Sequence, residues 1–172
     1  MASAKTAARR PHAGRYKPVF DLRQYRSQDF ERLLEIDQAC FVEGIAYDED
    51  EMRCFLSMPS AITLVAEQVG TGGVQGFIIA DRLQPQRASR PMGRIITIDV
   101  APGNQRAGVG TQLLANAEEW LKNAGCDHVV LEVAVDNERA LRFYKKHGYS
   151  VLKVLPNYYM DSVDGLMMGK RL

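Results

Sequence analysis

Apolar and polar positions follow two rhythms along this chain. A period of two runs through Val19-Phe20-Asp21-Leu22-Arg23, Ile62-Thr63-Leu64-Val65-Ala66 and Val74 to Ala80, and predicts three strands. The last two flank Thr71-Gly72-Gly73, so they form a hairpin. Apolar runs at Arg94 to Val100, Val129 to Val135, Tyr149 to Leu155 and Leu166 to Lys170 predict four more strands. A period near 3.6 appears in between. Ser27 is placed to cap a helix carrying Phe30, Leu33, Leu34, Asp37 and Phe41, and Asp48 one carrying Met52, Phe55 and Leu56, stopped before Pro59. Leu113, Leu114, Ala117, Trp120, Leu121 and Ala124 share one face of a third helix ended by Gly125; Asn137 to His147, with Gly148 after it, is a fourth. Residues 81–93, with two prolines and a glycine, read as a surface loop, and Pro156-Asn157-Tyr158-Tyr159 as the connection between the last two strands. Strands interleaved with helices make an α/β layered domain without repeats or an interdomain linker.

A chain of 172 residues suits one such domain, and 46% hydrophobic with 25% charged residues are ordinary globular values. Apolar runs are short and broken by charge, which excludes a membrane-spanning helix. The net charge of +1 gives no electrostatic reason to expect nucleic acid or membrane partners. It conceals an asymmetry. Lys5, Arg9, Arg10, Arg15 and Lys17 stand in the first 20 residues without an acid, leaving 17 bases against 21 acids beyond them. Residues 1–18 read as a basic, disordered arm, with a transit peptide or a misassigned start as alternatives, and 19–172 as the single domain. The mildly acidic domain suits a cationic amine. Cys40, Cys54 and Cys126 form no CxxC, and His12, His128 and His147 are scattered, so the expectation is a reduced cytoplasmic protein without a metal site.

The strand–turn–helix at 94–121 carries the most chemistry. Gly108 and Gly110 stand at the helix mouth, where backbone N–H groups lack intrahelical partners and the helix dipole is positive. Such a turn cradles a pyrophosphate, with Gln105, Arg106 and Thr111 as side-chain donors. A P-loop starting at Gly103 would need Lys and Ser or Thr at 109 and 110, where Val109 and Gly110 stand. A dinucleotide fingerprint from Gly108 would need a small residue at 113, where Leu113 stands. A plain helix start without a ligand is the remaining alternative.

The pattern Gln105-x-x-Gly108-x-Gly110, after an apolar strand and before an amphipathic helix, resembles the coenzyme A signature of the GNAT superfamily of N-acetyltransferases. LEVAVDNERALRFYKKHGY at 131–149 resembles the second half of that fold, with Asn137, Ala140, Phe143-Tyr144 and Gly148-Tyr149 at the family's spacing. PNYYMDSVDGLMM at 156–168 is similar to the ending of ribosomal-protein alanine N-acetyltransferases and related N-terminal acetyltransferases. The resemblance covers about 150 residues. It implies a mixed sheet of about seven mostly antiparallel strands with about four helices, and central strands 94–100 and 129–135 splayed to admit the pantetheine of acetyl-CoA. The coenzyme would lie along Ile98, Asp99 and Val100, then Gln105, Arg106, Ala107, Gly108, Val109, Gly110 and Thr111, with Asn137 on its arm or capping a helix.

Glu132 interrupts an apolar strand, on the face opposite Val129, Leu131, Val133 and Val135. Its residue type allows a solvated edge glutamate, or a partly desolvated carboxylate poised as a base. The resemblance implies the base. Tyr144 by its spacing is a core aromatic; the resemblance implies that its hydroxyl protonates the departing thiolate. Tyr158 and Tyr159 are surface or interface anchors on their own, and part of a peptide-binding lip by resemblance. The implied reaction is direct acetyl transfer to a protein or peptide α-amine, a ribosomal protein being one candidate. A small-molecule amine acetyltransferase and a non-catalytic coenzyme A-binding module are the alternatives. An α-amine titrates near 8, whereas a lysine near 10.4 would cost about 3 kcal/mol more to deprotonate. Asp99, Asn104 and Ala107 depart from the family's usual residues, and no Pro-Trp follows Phe41. Asp99 reads either as an extra acid near the amine or as the partner of an arginine.

Overall fold

The computed structural model describes residues 20–41, 45–84, 90–159 and 162–172. The basic arm lies outside them. The chain builds one seven-stranded sheet from β1 (Phe20–Gln24), β2 (Ala61–Gln68), β3 (Val74–Leu83), β4 (Met92–Val100), β5 (His128–Ala134), β6 (Ser150–Tyr159) and β7 (Val163–Arg171). Their order is β1-β2-β3-β4-β5-β7-β6, and every neighbouring pair is antiparallel except β4 with β5. The helices are α1 (Phe30–Cys40), α2 (Glu49–Leu56), α3 (Val109–Asn123) and α4 (Glu138–Lys146).

Each face of the sheet has its own core. Under α3, Leu113, Leu114, Ala117 and Leu121 pack on Ile78, Ile95, Val129 and Leu131. Each fully buried leucine there contributes roughly 1.5–3 kcal/mol. On the other face, Leu33 and Ile36 of α1 and Met52 of α2 pack on Val65, Phe77 and Ile79.

Local chemistry sets the ends. Asp48 caps α2: its Oδ1 accepts from the Glu51 N–H at 2.8 Å, and Glu51 Oε2 accepts from the Asp48 N–H at 3.0 Å. Ser27, expected to cap α1, instead opens a 3-10 turn, Ser27–Asp29. Asp29, held by a two-pronged bond from Arg23, accepts the Arg26 N–H at 2.8 Å and so sets the entry to the helix. The loop expected over 81–93 is shorter, because β3 runs to Leu83 and β4 starts at Met92. Val135, expected to continue β5 on the face of Val129, Leu131 and Val133, lies beyond its end and is 40% exposed.

One irregularity in β4 matters for the site. Ala80 pairs with Ile95 but Ile79 pairs with Thr97, so Ile96 is an extra residue. This bulge exchanges the faces of the strand. Ile95 belongs to the core under α3, whereas Thr97 and Asp99 lie opposite Ile79 and Phe77, on the side of α1.

Candidate active site

Strands β4 and β5 are paired only at Gly93–Val129 and Arg94–Val130. Past that second rung they part, leaving a fork in the middle of the sheet. Side chains take the carbonyls on the parted edge of β4. Gln105 Nε2 donates to Val100 O at 2.9 Å, Cys40 Sγ approaches the same oxygen at 3.4 Å, and the Tyr47 hydroxyl meets Ile96 O at 3.4 Å. These bonds hold the strand without a sheet neighbour.

Beyond the fork the chain turns into α3. Gly108 is the residue before the helix, with φ of 90°, a conformation that strains any side chain. No side chain caps the helix, and a Cβ at Gly108 would meet nothing within 4 Å. The first helical bond is Gln112 N–H to Gly108 O at 3.1 Å, so the amides of Val109, Gly110 and Thr111 have no helical acceptor. Arg106 is exposed beside them, and Ala107 packs against the α3 core. Open space, unclaimed donors and the dipole fit a diphosphate. Gln105, expected to donate to it, turns inward instead: its amide is shared between Val100 O and the Arg139 guanidinium. Thr111 donates to His147 Nε2 at 3.1 Å, while His147 Nδ1–H is satisfied by Phe143 O at 2.8 Å. Ile98 and Val100 line the α3 side of β4, and Asp99 points the other way.

Glu132 projects from β5 away from the α3 core, opposite Met167 of β7. Its side chain is 16% exposed, and its Oε2 lies 3.4 Å from Arg94 Nε. Arg94 occupies the last paired rung of β4, so this ion pair sits at the crotch of the fork. Tyr144, on α4, is buried edge-to-face against Phe143, and burial together with the charge of Asp99 pushes its phenol well above the usual range. None of the hydrogen bonds among the described residues uses its hydroxyl. Asn137 caps α4, its Oδ1 accepting the Ala140 N–H at 3.1 Å, which leaves its amide NH2 free for a second partner. Tyr158 and Tyr159, expected in a connection, are the last two residues of β6; their rings meet edge-on at 5.0 Å. Tyr159 turns inward enough to sense Glu132 and Arg94, while Tyr158 is 47% exposed.

Residues 30–149 match the model of the acetyltransferase (GNAT) family. The chain belongs to this family. An uncharacterised N-acetyltransferase of Methanocaldococcus jannaschii is 34% identical over 87% of this chain and 90% of its own. An N-alpha-acetyltransferase of Sulfurisphaera tokodaii is 30% identical over 87% and 95%. Among solved structures, Ard1 from Thermoplasma volcanium superposes with a TM-score of 0.78 at 29% identity, covering 89% of this chain and 97% of that one. The chain is an N-acetyltransferase with the GNAT fold.

This GNAT domain also buries two carboxylates, of which the sequence singles out only Asp99. Asp37 of α1 and Asp99 of β4 are both fully buried. Asp37 Oδ2 accepts the Tyr47 N–H at 2.8 Å, and Asp99 Oδ2 accepts the Thr97 hydroxyl at 2.9 Å. The second oxygen of each, Oδ1, is buried without a partner among the described residues. Burial raises Asp37 to about 6; burial and then the charge of Asp37 raise Asp99 to about 8. Burial and the charge of Asp99 push the Cys40 thiol up to about 11, so the one cysteine near the fork is not a thiolate nucleophile at neutral pH. The signal for Asp37 was a carboxylate in the apolar row of α1; Tyr47 carried none. Among the described residues no cluster of His, Cys, Asp and Glu could hold a metal, and no helix is long and apolar enough to cross a membrane.

Proposed function

We propose that this chain transfers the acetyl group of acetyl-CoA directly to the α-amine at the N-terminus of a protein or peptide. The observation that carries the reading is the fork between β4 and β5, with unclaimed helix amides at one end and the Glu132 carboxylate at its crotch. Acetyl-CoA supplies an activated thioester. The amides of Val109, Gly110 and Thr111 hold its diphosphate, with Arg106 beside them. The Asn137 NH2 orients the pantetheine arm. Glu132 takes the amine's proton as the nitrogen attacks, and the Val100 amide on the parted edge donates to the carbonyl oxygen as charge develops. Tyr144 gives its proton to the sulfur. Most of the acceleration comes from holding amine and thioester in line. Tyr158 and Tyr159 form the lip that receives the peptide backbone. The protonated thiol of Cys40 accords with transfer without an acyl-enzyme. The three free cysteines accord with a reducing, cytoplasmic setting.

Mass spectrometry of acetyl-CoA reactions with short peptides of varied first residue, and with free amines and lysine side chains alongside, tests the reading. Acetate on peptide α-amines is the expected product. Acetylation confined to small amines would move the acceptor class. Coenzyme binding with no transfer to any amine would make the protein a binding module.

A further inference from the structure

Strands β4 and β5 share two rungs and then part, so groups outside the sheet must fix the spacing at the open end of the fork. A hydrogen-bonded chain crosses it. On the β5 side the turn into α4 is tight, with Asn137 N–H donating to Ala134 O at 3.1 Å, and Arg139 stands in the first turn of that helix. Its guanidinium donates to Gln105 Oε1 at 2.5 Å, and Gln105 Nε2 donates at 2.9 Å to Val100 O, at the end of β4. We propose that Arg139 is a positioning residue for acetyl transfer: by orienting the Gln105 side-chain amide it holds the Val100 backbone in place and so aims the Val100 N–H at the thioester oxygen. The proposal rests on the acetyl-transfer reading of the same site.

The Val100 backbone faces the fork. Ala101 N–H donates to Gln75 O of β3 at 2.8 Å, and successive residues of a strand direct their backbone groups to opposite edges. The N–H and the C=O of Val100 therefore both point away from β3, and fixing the oxygen fixes the direction of the N–H. The other partner of that oxygen, the Cys40 thiol at 3.4 Å, is a weak donor. Gln105 is thus the main restraint, yet an amide can present either end. A guanidinium only donates, so Oε1 turns to Arg139 and the NH2 to Val100 O. Its charge also makes the bond stronger than a neutral one. Without Arg139 the amide can rotate by half a turn and set Oε1 against Val100 O, two acceptors face to face.

Helix α4 is itself docked on the coenzyme turn, which sets the reach of Arg139. Residues 139, 143 and 147 lie one turn apart on a single stripe of the helix. The Phe143 ring stands 3.6 Å from where a Cβ on Gly110 would lie, and His147 Nε2 accepts from Thr111 at 3.1 Å. The neighbouring stripe carries the buried Tyr144. Arg139 therefore ties the helix that carries the proposed acid to the strand edge that carries the proposed oxyanion donor, and it acts through Gln105.

Two measurements on the full chain test it. In NMR spectra the Val100 amide signal should move in Arg139→Ala and in Gln105→Glu, and should return toward its original position in Arg139→Lys. In steady-state rates, on whichever amine the unaltered protein acetylates, Arg139→Ala should lower kcat about tenfold with KM for acetyl-CoA within about twofold. Arg139→Lys, again a pure donor, should recover most of that loss. Gln105→Glu keeps the contact with Arg139 but meets Val100 O with an acceptor, and should be at least as slow as Arg139→Ala. The double variant should be no slower than Gln105→Glu alone, because the two residues act in series. Arg139 is exposed, so its replacement leaves the core intact. A raised KM for acetyl-CoA with kcat intact would make Arg139 a coenzyme ligand and overturn the proposal. Effects that multiply in the double variant, or a Val100 signal that stays in place, would overturn it too. Failure of the unaltered protein to acetylate any amine would instead remove the acetyl-transfer reading, and this proposal with it.

Discussion

The two faces of the sheet are built from different materials. Under α3 the buried cluster is hydrocarbon with two tyrosines and a cysteine, and Glu118, which accepts the Tyr149 hydroxyl at its edge, is paired with Lys170. The side of α1 and α2 buries Asp29, Asp37, Asp81 and Asp99. A carboxylate out of water is costly unless it is bonded or protonated, so a fold that keeps four on one side has a use for them or compensates them. Asp29 is compensated by Arg23. Among the described residues Asp37 and Asp99 have no cation partner; one oxygen of each accepts a hydrogen bond and the other has none. The α3 face carries the turn and Tyr144 of the proposed site, and the opposite face its buried carboxylates and Glu132.

The sharpest way to break that division is Glu132→Gln, which keeps shape and removes the proposed base. Turnover should fall by about 10³-fold, within the range of one positioned general base. Coenzyme affinity, which the proposal assigns to the turn before α3, should change little. Steady-state rates with calorimetric binding of acetyl-CoA check both. An unchanged kcat on a good substrate would reduce Glu132 to the partner of Arg94.

Stability should also depend on pH through the α1 side. Asp37 and Asp99 titrate higher in the folded protein than in the unfolded chain. Their contribution is therefore fully present below about pH 4 and is lost as pH rises, through about 6 for Asp37 and about 8 for Asp99. Asp29, lowered by the Arg23 hydrogen bonds, works in the opposite sense and loses its contribution as pH falls below the ordinary carboxylate range. Maximum stability should lie on the acid side of neutrality. The decline from pH 5 to 8 should be on the order of a few kcal/mol. Asp99→Asn should flatten it in denaturant titrations; an equally steep decline would place the strain elsewhere.

The same division governs what could be read from the sequence. Hydrophobic spacing marks the α3 helix and the strands beneath it, and the helix positions Leu113, Leu114, Ala117 and Leu121 are all in the core. Glu132 was legible because it breaks an apolar strand, and Gly108 because its place at a helix mouth follows from its neighbours. Asp99 was visible as a departure, but its environment was not. Its surroundings depend on one extra residue at Ile96 and on a helix 60 residues upstream, and neither follows from local pattern. Arg94 looked like an ordinary strand start because its partner is set by a parallel pairing only two rungs long. Tyr158 and Tyr159 read as a loop after Pro156, yet β6 continues through an irregular stretch, between Leu155 and Tyr159, to the tyrosine pair.

On the α3 side, the coenzyme turn offers a smaller effect. Gly108→Ala meets no steric obstacle, so its cost is that of holding a side chain at φ of 90°, about 1 kcal/mol. Either the helix mouth absorbs this as lost stability, or the turn relaxes and misaims its amides. The second outcome should weaken acetyl-CoA about fivefold while leaving kcat at saturation nearly intact. A drop in kcat alone would mean that the turn aligns the thioester as well as the diphosphate.

The mildest effect is expected at the outer rim of the α1 side. Tyr158 is half-exposed, and its ring leans on Tyr159 and over Gly165, where an added Cβ would lie 3.1 Å from the Tyr158 Cβ. Tyr158→Ala therefore removes one wall of the lip without opening the core, and folding stability should move by less than about 1 kcal/mol. If the lip receives a peptide backbone, KM for a peptide should rise about threefold to tenfold while KM for a small primary amine stays put. Tyr159 faces inward toward Glu132 and Arg94, so Tyr159→Phe should act on kcat more than on KM. Equal effects of Tyr158→Ala on peptide and small amine would detach the lip from acceptor choice and leave the peptide to be read elsewhere along the fork.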